Sequence, residues 1–134
     1  MVSSTSFSLE RIEQDIVVLC MNVPGEKQNT LRAEFATEIN QLLDQLEKED
    51  ISGIILSSGK KDSFIVGADI NMLSSLETTE QIRAITNAGY AVFNRLEQLK
   101  IPVVAEIHGA CMGGGLELTL ACHGRVCSNH PATV

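Results

Sequence analysis

Two short glycine-rich segments, about forty residues apart, constrain this chain more than any other feature of its sequence. They read IVGADI (Ile65–Ile70) and HGACMGGGLEL (His108–Leu118). Each follows an apolar run typical of a buried strand and leads into a helical pattern. Glycine has no Cβ, so it tolerates positive φ and lets another group approach the backbone closely. The two segments therefore predict strand-to-helix turns that build a site.

The remaining pattern alternates strands with helices, which favours βαβ units and an α/β fold with a mainly parallel sheet. Thr30 is the expected N-cap of the first helix, and Asp69 that of a brief helix after the first glycine segment. The expected strands are Ile16–Met21, Gly53–Ser57, Val103–Ile107 and Arg125–Cys127, and the longer helices are Thr30–Lys48, Thr79–Leu99 and Gly115–Cys122. In the first two of these helices, apolar residues at the 3.6-residue period form one face that is expected to face the core: Leu31, Phe35, Ile39, Leu42, Leu43 and Leu46 in the first, and Ile82, Ile85, Val92, Phe93, Leu96 and Leu99 in the second.

Composition excludes several classes of function. The chain has 134 residues, 44 % of them hydrophobic, which is the size and apolar content of one globular domain rather than a disordered segment. A net charge of −7 argues against non-specific binding of nucleic acid or anionic lipid. No apolar run approaches the ~20 residues of a membrane helix, and residues 1–15 lack the pattern of a signal peptide. We therefore expect a cytoplasmic protein.

Four cysteines occur without a C-x-x-C pair, so reduced and buried thiols are the expectation. A metal site built from Cys122, His123 and Cys127 is the alternative, although that spacing fits no common zinc pattern. No metal is therefore predicted.

The glycine segments can support chemistry at a carbonyl group. If Ala68 and Gly114 each direct an N–H into one pocket, the two donors could stabilise negative charge on a thioester oxygen. The helix that begins near Gly115 would add its positive N-terminal end. Glu117, in the first turn of that helix, could then act as a general acid or base.

Each of these residues also has a structural interpretation. The turn at Gly113–Gly115 could serve only close packing of a helix on a strand, and Glu117 could only complement the helix dipole. His108 is expected to be structural. Lys60 and Lys61 fit a solvated loop, or a loop beside a phosphate-binding pocket. Nucleotide binding is disfavoured, because the glycine loop lacks the Lys-Ser/Thr of a P-loop and does not match G-x-G-x-x-G.

The two glycine motifs resemble a known family. IVGADINML and IPVVAEIHGACMGGGLELTLAC are similar to the two signature regions of the crotonase (enoyl-CoA hydratase/isomerase) superfamily, and VPGEKQNTL resembles its first CoA-contacting loop. The resemblance runs from about Ile16 to the carboxyl end. Within the superfamily, NVPGEKQNTL and ELTLACHGRVC are most similar to bacterial multifunctional fatty-acid oxidation enzymes of the anaerobic type.

The resemblance implies a crotonase-like spiral of ββα turns and hydration of a trans-2-enoyl-CoA in fatty-acid β-oxidation, with double-bond isomerisation as a related reaction. Ala68 and Gly114 would donate the oxyanion-hole N–H groups, and Glu117 would be the first of two catalytic glutamates. The resemblance further implies that the CoA-contacting positions are Lys27, Val66, Ala68 and Ile70.

Further expectations follow from the same resemblance. The second glutamate would fall just past Val134, so residues 1–134 are expected to be the amino-terminal part of a crotonase domain, inactive alone. Hydration needs no cofactor, and NAD would be needed only where a dehydrogenase domain follows. Expected partners are an acyl-CoA thioester and either further copies of the chain or a thiolase subunit. A non-catalytic acyl-CoA-binding or assembly module is the alternative function.

Overall fold

The computed structural model describes residues 6–134, so the first five residues of the amino-terminal segment lie outside it. Its five strands are β1 (Phe7–Ile12), β2 (Ile16–Met21), β3 (Gly53–Ser58), β4 (Val103–Ile107) and β5 (Gly124–Cys127). Its four α-helices are α1 (Phe35–Leu46), α2 (Ile70–Ser74), α3 (Thr79–Gln98) and α4 (Gly114–Ala121).

The strands form one sheet in the order β1-β2-β3-β4-β5, in which every strand is adjacent to its neighbour in sequence. The pairs from β2 to β5 are all parallel, which confirms the mainly parallel sheet. Only β1 is antiparallel, and it pairs with β2 through a tight 3₁₀ turn, Glu13–Asp15. The sequence pattern did not predict β1, because the charged residues Glu10 and Arg11 interrupt its apolar alternation.

The core lies between the sheet and the helices, and its buried residues come mainly from the strands and from α1, α3 and α4. Alternate residues of β2, namely Val17, Leu19 and Met21, are buried, as a period of two requires for a strand with one face covered. The buried face of α1 is the predicted one and consists of Phe35, Ile39, Leu42, Leu43 and Leu46. Because β2, β3 and β4 are adjacent and parallel, the loops that follow them all leave the same edge of the sheet.

The first helix begins later than the sequence predicts. Its N-cap is Glu34 rather than Thr30, because the chain at Leu31 is extended and pairs with the first glycine segment. The Leu31 N–H donates to the Gly67 carbonyl at 2.8 Å, and the Leu31 carbonyl accepts from the Asp69 N–H at 3.0 Å rather than from the Phe35 N–H, as it would in a helix. The Thr30 prediction is wrong, and its hydroxyl instead donates to Asp69 at 3.3 Å.

The prediction for Asp69 is confirmed. Its Oδ1 accepts a hydrogen bond from the Met72 N–H at 2.7 Å and so caps α2. The long helix α3 has a complete capping box between Thr78 and Gln81, a signal that fixes its start.

The cysteines are all free, but they differ in environment. Cys111 and Cys122 are buried, whereas Cys127 is exposed, so the expectation of buried thiols is wrong for Cys127. Burial raises the pKa of the Cys122 thiol to about 11, and it also raises the pKa of Cys111.

The alternative metal site is not formed. His123 accepts a hydrogen bond from the Val103 N–H through Nδ1 (2.9 Å), and its Nε2 contacts the Glu97 carbonyl (3.1 Å). Across residues 6–134, no three His, Cys, Asp or Glu side chains are grouped so that they could hold a metal ion. No helix in that range is long and apolar enough to cross a membrane.

Candidate functional site

The first glycine segment, Ile65–Ile70, runs between two other stretches of backbone. On one side the Val66 N–H donates to the Asn29 carbonyl at 3.0 Å. On the other side the Met112 N–H donates to the Ile65 carbonyl at 3.1 Å. Backbone hydrogen bonds thus tie together three loops that are distant in the sequence.

The two glycine segments meet directly, as the sequence predicts. Gly67 and Gly113 have φ of +110° and +54°, and a Cβ on Gly113 would lie 3.5 Å from the Gly67 Cα. A Cβ on Gly115 would collide with the Ile65 carbonyl, so α4 packs by its first turn against the first segment. The packing role considered for Gly113–Gly115 is therefore real, and it also brings Gly114 to the first segment.

Two backbone donors at this junction have no acceptor within the protein. The Ala68 N–H is unpaired in the described chain, although the N–H groups of Val66 and Asp69 on either side both donate. Gly114 is the first residue of α4, where an N–H has no intrahelical acceptor, and no other acceptor within residues 6–134 takes its place. Two free N–H groups side by side form a potential anion-binding site.

Both residues line one cavity of about 400 Å³. Its walls are mostly apolar and come from the start of α1, from α2, α3 and α4, with Phe35, Met72 and Phe93 among them. A mostly apolar cavity with a few convergent polar groups is the usual form of a small-molecule site.

Glu117 lines the same cavity from the first turn of α4. Its side chain is exposed, and in the described chain no hydrogen bond or ion pair engages its carboxylate. The structure therefore brings Ala68, Gly114 and Glu117 together around one space. If a ligand's carbonyl oxygen accepted hydrogen bonds from the two amides, the ligand's carbon atoms next to that carbonyl would lie in the cavity that Glu117 also lines.

The wall formed by α3 differs from the sequence expectation. Ile85 and Phe93 were expected on a core-facing stripe, but they line the cavity, and only Val92 and Leu96 of this helix are buried. Ile82, expected on the same stripe, is 52 % exposed. The sequence contained a signal for this cavity wall, namely the small residues Ala84, Ala88 and Gly89. They also line the cavity and leave it open along the helix.

Sequence reasoning also missed Arg32, the only basic residue among those that line the cavity in the described chain. Its guanidinium pairs with Glu26 at 3.1 Å, and both side chains are substantially exposed. Such an ion pair contributes little to stability, so the guanidinium is free to exchange partners.

The side chains of Lys60 and His108 make their hydrogen bonds outside the cavity. The Lys60 ammonium donates to the carbonyls of Val23 (2.7 Å) and Glu26 (2.6 Å), and so pins the loop after β2. His108 contacts the Lys60 carbonyl through Nε2 at 2.5 Å, a structural role as expected. Lys60 is thus not a solvated loop lysine.

Of the four residues expected to contact the CoA moiety, Ala68 lines the cavity and the other three do not. Lys27 and Ile70 are exposed, Ile70 by 76 %, and Val66 is half-buried with its N–H already paired. Their contacts with a ligand stay predictions.

The sequence of this chain matches a known family. The profile of the enoyl-CoA hydratase/isomerase family covers residues 11–133, nearly the whole chain. This chain belongs to the enoyl-CoA hydratase/isomerase family. The resemblance drawn from the two glycine motifs is thereby confirmed.

Two relatives from Shewanella are similar to this chain over most of the length of this chain. The chain is 54 % identical over 130 residues to the fatty acid oxidation complex subunit alpha of Shewanella oneidensis, and 52 % identical to that of Shewanella baltica. The alignment with each covers 96 % of this chain and 18 % of the subunit. The chain thus spans less than a fifth of the length of these relatives.

Solved structures confirm the crotonase-like α/β fold. The enoyl-CoA hydratase of Thermoplasma volcanium superposes with a TM-score of 0.86 at 28 % identity, covering 95 % of this chain and 50 % of the hydratase. The enoyl-CoA hydratase of Bacillus anthracis gives 0.85 at 28 % identity, over 93 % of this chain and 48 % of that one.

Proposed function

We propose that the cavity binds the thioester of a trans-2-enoyl-CoA and that the protein hydrates it to the 3-hydroxyacyl-CoA in fatty-acid β-oxidation. The observation that supports this is the pair of unpaired N–H groups at Ala68 and Gly114, which border one apolar cavity with Glu117. An acyl chain needs apolar walls, a thioester oxygen needs fixed donors, and proton transfer needs a carboxylate.

In this proposal the thioester oxygen accepts hydrogen bonds from both amides. When the oxygen of water adds to C3, electron density moves through C2 to the thioester oxygen, and the amides stabilise the resulting enolate-like charge. C2 then takes up a proton, and the product contains all the atoms of the enoyl-CoA and one water. Glu117 either removes the proton from water or delivers the proton to C2. No cofactor is needed for this reaction.

Double-bond isomerisation is a second candidate, favoured by one observation. Glu117 is the only carboxylate among the described residues that line the cavity. One carboxylate can move a proton from one carbon to another, whereas hydration in this family is expected to use two. We place the second carboxylate of hydration outside residues 1–134, so that this chain is the amino-terminal portion of the catalytic domain and does not turn over alone.

The whole protein is proposed to resemble the Shewanella subunits. In that proposal it is cytoplasmic, it assembles with further copies of itself or with a thiolase subunit, and it uses NAD only if it also has a dehydrogenase domain. Lys27, Val66, Ala68 and Ile70 are proposed to contact the CoA moiety. The alternative function, to be distinguished from that of an enzyme, is a non-catalytic module that binds acyl-CoA.

The test is an amide proton–nitrogen correlation spectrum of the chain, recorded with and without acetoacetyl-CoA. The Ala68 and Gly114 resonances are expected to shift, because both N–H groups would donate to the bound thioester or its enolate. Free CoA, which lacks the acyl group, is the control. It is expected to leave the Gly114 resonance in place and to shift the Ala68 resonance less than acetoacetyl-CoA does, because Ala68 is also proposed to contact the CoA moiety. If acetoacetyl-CoA moves neither of them, the proposed function is wrong.

A further inference from the structure

Asn29 is a buried polar residue that the motifs did not single out. It is 0 % exposed, and its side-chain oxygen accepts a hydrogen bond from the Val23 N–H at 3.0 Å. Its side-chain nitrogen lies 2.8 Å from the Met21 carbonyl, 3.0 Å from the Ser58 hydroxyl and 3.0 Å from the Phe64 carbonyl. One amide group therefore joins the ends of β2 and β3 to the start of the first glycine segment.

The backbone of the same residue continues this connection. The Asn29 carbonyl accepts from the Val66 N–H, and two residues later Leu31 pairs with Ala68 as an isolated parallel bridge. In that bridge Leu31 bonds to Gly67 and to Asp69, which fixes the peptide groups on both sides of Ala68. The short stretch from Asn29 to Leu31 thus acts as a strand that holds the first glycine segment in place.

We propose that Asn29 is a positioning residue that fixes the direction of the Ala68 N–H. This inference rests on the proposed function, in which that N–H is an oxyanion donor. An oxyanion donor is effective only when it is oriented before the charge develops, since reorientation during the reaction would cost energy. Asn29 does not touch the cavity, so it acts through the backbone of the segment that it holds.

The chemistry of the side chain explains why an amide is needed here. Its neighbours are one N–H donor and three oxygen acceptors, and a primary amide offers an oxygen acceptor and two N–H donors at one end. Aspartate has almost the same shape, but its ionised carboxylate has no donor for the Met21 and Phe64 carbonyls, and its protonated form has one donor where the amide has two. Asn29→Asp therefore removes at least one donor without opening a cavity.

The experiment compares Asn29→Asp with Leu46→Ala in the spectrum with acetoacetyl-CoA. Leu46 is buried at the end of α1 and is not among the residues that hydrogen-bond to the Asn29 side chain, so its variant controls for loss of stability. In Asn29→Asp we expect the ligand-induced shift of Ala68 to fall at least twofold, with a smaller change at Gly114. In Leu46→Ala both shifts should equal those of the unsubstituted chain.

The other outcomes each decide against the inference. An Ala68 shift in Asn29→Asp equal to that of the unsubstituted chain would overturn it and leave the proposed function intact. No shift at either residue in the unsubstituted chain would overturn the proposed function, and the inference with it.

If Asn29→Asp does not fold, Asn29→Ser is the second variant, because it keeps a short side chain with a hydroxyl donor. Loss of folding in both variants where Leu46→Ala stays folded would show that Asn29 holds the whole fold rather than this loop.

Discussion

Gly67 and Gly113 face each other across the two loops, so close that a Cβ added to Gly113 would be in van der Waals contact with the Gly67 Cα, 3.5 Å away. Each also has a positive φ that other residues adopt only with strain. The following residues, Ala68 and Gly114, are thereby held side by side with their N–H groups unpaired. The glycines have no chemical role of their own, but their contact creates the pair of donors.

The first prediction concerns Glu117 as the acid or base. In the whole protein proposed above, Glu117→Gln should lower turnover of crotonyl-CoA by about 10²- to 10⁴-fold, because the amide cannot transfer a proton. Affinity for acetoacetyl-CoA should be nearly unchanged, since the oxyanion donors and the apolar walls remain. Turnover is measured from the loss of enoyl absorbance, and affinity is measured by calorimetry.

Glu80→Gln is the matched control for this substitution. Glu80 lies in the first turn of α3, as Glu117 does in α4, but it does not line the cavity. Both substitutions remove a favourable charge at a helix N-terminus, so any dipole effect is shared. Equal activity in the two variants would exclude Glu117 from proton transfer.

The second prediction isolates the Gly114 N–H. Gly114→Pro deletes the donor at the first position of α4, where proline fits a helix well because that N–H has no intrahelical partner. Loss of one oxyanion donor should lower turnover by about 100-fold or more.

Gly114→Ala keeps the N–H and is the control for added bulk. The new Cβ would lie 3.0 Å from Leu31 Cδ1, the end of a flexible side chain that can move aside. Turnover in Gly114→Ala should therefore stay within several-fold of the unsubstituted protein. Similar losses in both variants would indicate crowding rather than a missing donor.

Most of the fold could be predicted from local patterns. The apolar run at Ile16–Met21 and the 3.6-residue period of α1 are explained by burial alone, and Asp69 has the side chain of an N-cap. The start of α1 could not be predicted, because Leu31 is held extended by a bridge to Ala68, a contact across 37 positions of the chain. The strand β1 was missed because its pairing with β2, rather than its own sequence, stabilises it.

The candidate site could be predicted less completely. Glycine spacing and family resemblance were sufficient to select Ala68, Gly114 and Glu117, which the structure brings to one cavity. The cavity wall on α3 was missed, since Phe93 looks the same in a core and in an apolar binding site. Asn29 lies within the VPGEKQNTL segment, but its role could not be predicted, because it depends on four hydrogen-bond partners that are 6 to 35 residues away in the sequence.

The third prediction concerns the cap of α2 beside the site. Asp69→Ala should lower the free energy of unfolding by about 1 kcal/mol, because the Met72 N–H loses its acceptor. Asp69→Asn keeps a side-chain oxygen at the same place and should retain most of the stability. The measurement is urea denaturation of the three proteins. Equal stability of Asp69→Ala and the unsubstituted chain would contradict the capping role.

The last prediction concerns the stability of the chain at alkaline pH. Burial raises the pKa of Cys122 from 9.0 to about 11 in the folded chain, while the unfolded chain keeps the ordinary value. Between these values the unfolded chain has lost the thiol proton and the folded chain still binds it. The contribution of this thiol to the free energy of unfolding should therefore be fully present below pH 9, fall by about 2 kcal/mol as pH rises to 11, and be lost completely above that pH.

Two variants separate this thiol from the other groups that titrate at alkaline pH. Cys122→Ala should be less stable at every pH, because it leaves a cavity, but its loss of stability between pH 9 and 11 should be smaller. Cys127→Ala should show the same alkaline loss as the unsubstituted chain, since Cys127 is exposed. The buried Cys111, whose pKa is raised mainly by burial, adds a loss in the same direction in all three proteins, and only its smallest cause, the nearby Cys127, is removed in Cys127→Ala. Parallel pH profiles for Cys122→Ala and Cys127→Ala would show that the Cys122 thiol does not ionise differently on unfolding.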